Sequence, residues 1–125
     1  MLGFLSMDAM AAINVYGPGG PAPAMHEAAK QFKNKTGIDV HVTAGPTPQW
    51  SDKAKLDADV IYSGSEAMMS DLESVFADKI LKDSIEPLYL RPAAILVRKG
   101  NPKHIQGFKD LSKPNTKVLV THGAG

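Results

Sequence analysis

Polar and apolar residues alternate through Asp39-Val-His-Val-Thr43, the period of a strand with one buried face. Two more short runs rich in β-formers, Ile13-Asn-Val-Tyr16 and Ala58-Asp-Val-Ile-Tyr62, predict further strands. Between the first two strands the period lengthens. Met25, Ala28, Ala29 and Phe32 follow i, i+3, i+4, i+7 spacing and predict an amphipathic helix over residues 22–35, with Gly37 as its C-cap. Residues 49–56 read as a short helix. Ser65 is a good N-cap for another helix, which carries Met68, Leu72, Val75 and Phe76. Residues 88–97 form a long extended run, in which Pro92 argues for an edge or a crossover. Residues 106–112 predict a helical turn, and Lys117-Val-Leu-Val-Thr121 another strand.

The resulting order, β-α-β-α-β-α-β-α-β, predicts an α/β protein with a mostly parallel sheet flanked by helices. Ligands of such sheets bind beyond the carboxyl ends of the strands. Three loops fall at such ends, at residues 17–21, 45–48 and 63–66, and they are rich in Gly, Pro, Ser and Thr.

Composition narrows the classes. The 125 residues carry 14 Lys plus Arg against 13 Asp plus Glu, a net charge of +1. Phosphate neutralisation on a nucleic acid needs a much more basic chain, so no nucleic-acid partner is expected. Hydrophobic residues at 43% exclude a disordered tail. With no Cys there is no disulfide, thiolate nucleophile or zinc-cysteine site. Residues 9–25 lack any charged side chain or His, but the glycines and prolines at 17–23 prevent a membrane span. Residues 1–12 resemble the remnant of an export signal or a leader: Ala9-Met-Ala11 fits a small-x-small cleavage site, yet no basic segment precedes it.

The loop Gly17-Pro-Gly-Gly-Pro21 leads into a helix start. Such starts offer unpaired N–H groups and a partial positive charge, and glycines admit a ligand close to the backbone. The same loop also reads as a purely structural turn. It lacks the Gly-Lys-Ser/Thr of a phosphate-binding loop and the spacing of a dinucleotide fingerprint, so no nucleotide is expected. Ser63-Gly-Ser65 offers hydroxyls and N–H groups at the end of the third strand, or serves only as a helix cap. Ser63 lacks the preceding Gly of a nucleophile elbow. Arg91, between Leu90 and Pro92, has a donor fork suited to oxyanions, or else forms a salt bridge. Trp50 and Tyr89 are either core or the wall of a site. His26, His41, His104 and His122 show no metal-ligand spacing beyond the weak pair Asp39 and His41, and no metal or cofactor is expected. Met68-Met69 reads as core packing, and residues 30–35 as a solvated helix face.

These motifs, taken in order, resemble a known family. Ile13-Asn-Val-Tyr-Gly-Pro-Gly-Gly-Pro21, Phe32-Lys-Asn-Lys-Thr-Gly-Ile38 and Val40-His-Val-Thr-Ala-Gly-Pro46 are similar to the start of a periplasmic solute-binding protein of the molybdate/sulfate (type II) class. Ala58-Asp-Val-Ile-Tyr-Ser63 resembles its third strand. Tyr89-Leu-Arg-Pro-Ala-Ala-Ile-Leu-Val-Arg-Lys-Gly-Asn-Pro102 resembles its first hinge crossing. Phe108-Lys-Asp-Leu111 and Val118-Leu-Val-Thr-His-Gly-Ala-Gly125 resemble the opening of its second lobe. The motifs Tyr-Gly-Pro-Gly-Gly-Pro, Gly-Pro-x-Pro-x-Trp, Tyr-Leu-Arg-Pro-Ala and Val-Thr-x-Gly-Ala-Gly together resemble the accessory colonization factor branch.

The resemblance implies a periplasmic or exported, non-catalytic binder that closes on a small anion, a tetrahedral oxyanion or a carboxylate, for an ABC importer or a sensor. Its partners would be that anion and the transporter's membrane subunits. It implies lobe 1 over residues 13–90, and the hinge and an incomplete second lobe over 91–125, so that the chain is expected to be a fragment. Gly19, Gly20, Thr47, Ser63, Ser65 and Arg91 would line the first-lobe side of the ligand, and Thr121 and Gly123 would begin the second-lobe side. Two rival expectations remain. One is an α/β enzyme acting on phosphoesters through the Gly-rich loop, although no base-nucleophile pair is identifiable. The other is a truncated lobe that dimerises or swaps through an exposed inter-lobe face.

Overall fold

A computed structural model describes residues 11–90 and 92–120. The chain divides into two compact units near residue 82. The first is built on a three-stranded parallel sheet of order β2-β1-β3, with β1 at Ile13–Gly17, β2 at Val40–Ala44 and β3 at Val60–Ile61. Helix α1 (Ala22–Thr36) connects β1 to β2, α2 (Thr47–Asp57) connects β2 to β3, and α3 (Glu66–Val75) follows β3. The register sets Tyr16 beside both Thr43 and Ile61, and Gly17 beside Ala44. All three strands therefore end at one edge, and each helix begins there.

The sequence logic of these elements holds. Gly37 terminates α1 in the left-handed conformation (φ 73°), where a side chain would be strained. Ser65 caps α3, its Oγ accepting from the Met68 N–H at 3.2 Å. Helix α2 starts two residues earlier than the pattern suggested. Pro46 is its N-cap and Pro48 lies in its first turn, where a proline lacks only an N–H that the helix does not use. Tyr16, Trp50, Ala54, Leu72 and Phe76 form the core, with Met68, Met69 and Ile80 packed against it. Trp50 is thus core rather than an open wall. It stacks on Phe76 at 6.1 Å between ring centroids and lies 5.8 Å from Tyr16. The predicted apolar stripe of α1 is only partly covered: Met25 and Ala29 are half-buried, while Ala28 and Phe32 are exposed.

Two predicted strands are corrected. Residues 88–90 and 92–97 form no helix and pair with no strand among the described residues, and Leu90 and Leu96 are 94% and 95% exposed. Residues 117–120 likewise join no ladder. A β-rich composition makes a strand only where a neighbouring chain supplies the other half of its hydrogen bonds.

The second unit, 82–120, is held by local turns. Asn101 brackets Ile105, donating from Nδ2 to its carbonyl (2.9 Å) and accepting from its N–H (3.0 Å). A short 3-10 helix spans Phe108–Ser112, as the predicted helical turn suggested. The Asp110 carboxylate accepts from the N–H groups of Gln106 (2.7 Å) and Gly107 (3.2 Å). No helix among the described residues is long and apolar enough to cross a membrane.

Candidate functional site

The carboxyl edge of the sheet gathers three loops: residues 17–21 after β1, 45–46 after β2 and 62–65 after β3. They are stitched together by main-chain and aromatic donors. The Gly45 N–H donates to the Gly17 carbonyl at 3.0 Å, joining the first two loops. The Trp50 indole Nε1 donates to the Gly45 carbonyl at 3.0 Å. The Tyr62 hydroxyl crosses from the third loop to the Pro18 carbonyl at 2.9 Å, in a buried bond. The Tyr62 ring lies so close to Gly17 that a Cβ there would stand 2.5 Å from its carbons. Gly17 is therefore required by close approach, not by its φ.

Two of the helix starts at this edge are unlike the third. Neither α1 nor α2 has a side-chain cap or an acidic residue in its first turn. Pro23 and Pro48 lack an N–H, and the N–H groups of Ala22, Met25 and Gln49 bond the Gly19, Pro21 and Pro46 carbonyls, so the N–H groups of Ala24 and Thr47, with the partial positive charge of each start, are left to solvent or a ligand. Helix α3 has the Ser65 cap and Glu66 in its first turn, and so satisfies its own start.

The predicted site residues fall on this edge as far as they are described. Gly19 and Gly20 are exposed beside the start of α1, and a Cβ at Gly19 would meet nothing within 4 Å. Thr47 opens α2 and is half-buried. Ser65 Oγ accepts from Met68, which leaves its own hydrogen available to an acceptor. The Ser63 hydroxyl donates instead to the Ser65 carbonyl at 2.9 Å. Arg91, Thr121 and Gly123 lie outside the described residues. Sequence reasoning missed the two aromatic donors. Their signal was position: Tyr62 directly follows the third strand, and Trp50 sits one turn into the helix after the second loop.

The opposite, amino edge is where the charges lie. Lys53 pairs with Asp57, and both bond the Tyr16 hydroxyl, which donates to Asp57 Oδ1 at 2.7 Å and accepts from Lys53 Nζ at 2.9 Å. The hydrogen bond from Lys53, helped by Tyr16, holds the Asp57 carboxyl below its ordinary range, and the same pairing pushes Lys53 up to about 12. Lys33 sits 2.5 Å from Asp39 and lowers that carboxyl too. The Asp59 carboxylate accepts from the Asn14 N–H at 2.8 Å. Among the described residues no group of three or more His, Asp or Glu is placed to hold a metal ion.

Comparison with solved structures supplies the context. Crystal structures of PEB3 from Campylobacter jejuni, one of them bound to L-phospholactate, are 43% identical in sequence to this chain and superpose with a TM-score of 0.68. The match covers 79% of this chain and 43% of the PEB3 chain, so this chain spans less than half the length of that relative. No curated protein sequence matches. The model of the bacterial extracellular solute-binding proteins matches residues 13–125, nearly the whole of the sequence, and the chain belongs to that family.

Proposed function

We propose that the chain provides the first-lobe half of an anion-binding site in a periplasmic solute-binding protein of the molybdate/sulfate class, in the accessory colonization factor branch. It captures its ligand without catalysis, for an ABC importer or a sensor. Lobe 1 occupies 13–90, with the hinge and the start of lobe 2 in 91–125. The observation that carries the reading is the convergence of two helix starts without side-chain caps or acidic residues and an exposed Gly-Gly pair on three loops, 17–22, 44–49 and 62–66, whose one charged side chain is Glu66. Neutral N–H and O–H donors hold anions without an opposed full charge. Gly19, Gly20, Thr47 and Ser65 are the donors, Ser63 shapes their loop, and Arg91, Thr121 and Gly123 complete the site.

The ligand class follows from the donors and from the relative. L-Phospholactate, which one PEB3 crystal structure contains, joins a phosphate to a carboxylate. Both groups ask for the donors gathered on this edge. The test is a thermal melt with L-phospholactate, inorganic phosphate, sulfate, molybdate and small dicarboxylates. A ligand at 100 times its Kd stabilises by about 2.7 kcal/mol. A rise in Tm with one of these anions, diminished in Thr47→Val, is the expected result. No rise with any of them at millimolar concentration overturns the reading.

A further inference from the structure

Carbonyl oxygens outnumber N–H groups in the 17–21 and 45–46 loops, seven to four because of Pro18, Pro21 and Pro46, and an outward carbonyl repels an anion. Here six of the seven carbonyls accept internal hydrogen bonds, those of Pro21 and Pro46 from the Met25 and Gln49 N–H groups of the helix starts. Gly17 O takes the Gly45 N–H, Pro18 O takes the Tyr62 hydroxyl, Gly19 O takes the Ala22 N–H at 3.2 Å, and Gly45 O takes the Trp50 indole. In a trans peptide the C=O and the following N–H point in opposite directions. There is no cis peptide among the described residues. Fixing the Pro18 carbonyl inward on Tyr62 therefore fixes the Gly19 N–H outward, and Gly19 is exposed with open space around its Cα. The other tied carbonyls do less. The peptides of Gly17 and Gly45 are followed by Pro18 and Pro46, which have no N–H to present, and the Gly19 carbonyl, which orients the Gly20 N–H, is tied by the main chain at Ala22 rather than by a side chain. Tyr62 is the side chain whose bond converts a buried carbonyl into an outward donor. Its ring is 2% exposed and lies against Gly17, so the hydroxyl is held in place by packing.

We infer that Tyr62 is a positioning residue for anion capture: its hydroxyl polarises the 17–21 loop by holding the Pro18 carbonyl inward and presenting the Gly19 N–H to the ligand. The inference rests on the anion-binding reading above. Without that hydroxyl the Pro18 carbonyl loses a buried partner and is free to turn to water at the mouth.

The test follows the backbone amides of the ¹⁵N-labelled 125-residue chain by NMR during titration with inorganic phosphate and, separately, L-phospholactate. In the wild type the Gly19 amide should move with the amides of Thr47 and Ala24. In Tyr62→Phe the spectrum should stay dispersed, affinity should fall about tenfold or more, as for one lost hydrogen bond to a charged acceptor, and the Gly19 shift at saturation should collapse while that of Thr47 persists. A merely structural role would not remove the Gly19 response alone. Unchanged affinity and an unchanged Gly19 response in Tyr62→Phe overturn the proposal, as does a wild-type titration in which Thr47 responds and Gly19 does not. Residual dipolar couplings of the wild type give a check that survives any misfolding of the variant: a Gly19 N–H directed inward refutes it. Silence of all three loops to both anions instead removes the anion-binding reading itself.

Discussion

At the amino edge of the sheet, Asp39, Asp57 and Asp59 each have a partner close by: Lys33, the Lys53–Tyr16 pair, and the Asn14 N–H. At the carboxyl edge, within residues 17–22, 44–49 and 62–66, the one charged side chain is Glu66, and six of the seven carbonyls of residues 17–21 and 45–46 accept internal hydrogen bonds. The first edge is electrostatically finished; the second is left incomplete on one side. The difference teaches where function can sit. A closed network of opposite charges has nothing to gain from a ligand. An edge where most loop carbonyls are consumed by internal donors, while the N–H groups of Gly19, Ala24 and Thr47 take no internal acceptor, gains by meeting an anion.

Substitutions at the two edges should therefore separate stability from binding. The largest effect is expected from Trp50→Ala, which empties the centre of the core and frees the Gly45 carbonyl. It should cost about 3–5 kcal/mol in urea unfolding and abolish the response to anions. Next comes a contrast between two glycines of one loop. Gly17→Ala drives a Cβ into the buried Tyr62 ring and should cost about 1–3 kcal/mol together with anion affinity. Gly19→Ala, whose Cβ meets no protein atom within 4 Å, should leave stability nearly unchanged. Equal losses at the two positions would break the account of this edge.

Smaller effects belong to the paired carboxylates, two at the amino edge of the sheet and one, Asp110, within the second unit. Asp39, Asp57 and Asp110 (the last held by Lys113, 2.6 Å away, and by the Gln106 and Gly107 N–H groups) have carboxyls lowered in the folded state. A group lowered on folding stabilises above its unfolded pKa, near 4, and that stabilisation is lost as the pH falls through the folded value. Melting temperatures should accordingly be flat down to about pH 4 and decline below it, less steeply in Asp57→Asn. A decline already complete above pH 5 would assign it to other groups. The smallest change is expected for Asp39→Asn, whose partner Lys33 is exposed: a Tm shift close to experimental scatter at moderate salt, and no change in anion response.

The sequence was legible where local chemistry decides structure. Strands β1 and β2, helix α1 with its Gly37 stop, and α3 with its Ser65 cap follow from period and capping alone. The Pro46 and Pro48 positions misled by two residues, because a proline reads as a breaker until its place at the helix start is known. The runs at 88–97 and 117–120 have strand composition, but pairing partners are a non-local property that no short window contains. The edge that carries the site was visible as three Gly, Pro and Ser-rich loops. The bonds that give it polarity were not visible. They join Tyr62 to Pro18 and Gly45 to Gly17 across 44 and 28 positions, and only the parallel register brings those residues together.

The contact between Gly17 and Tyr62 makes two properties inseparable. The absent Cβ at one position is the space occupied by the ring at the other, and that same ring delivers the hydroxyl that orients the loop. Any homologue or engineered form that enlarges residue 17 must shrink residue 62, and with it surrender the hydroxyl's reach. Core volume and loop polarity in this lobe are therefore coupled: residue 17 can grow only where residue 62 gives up volume.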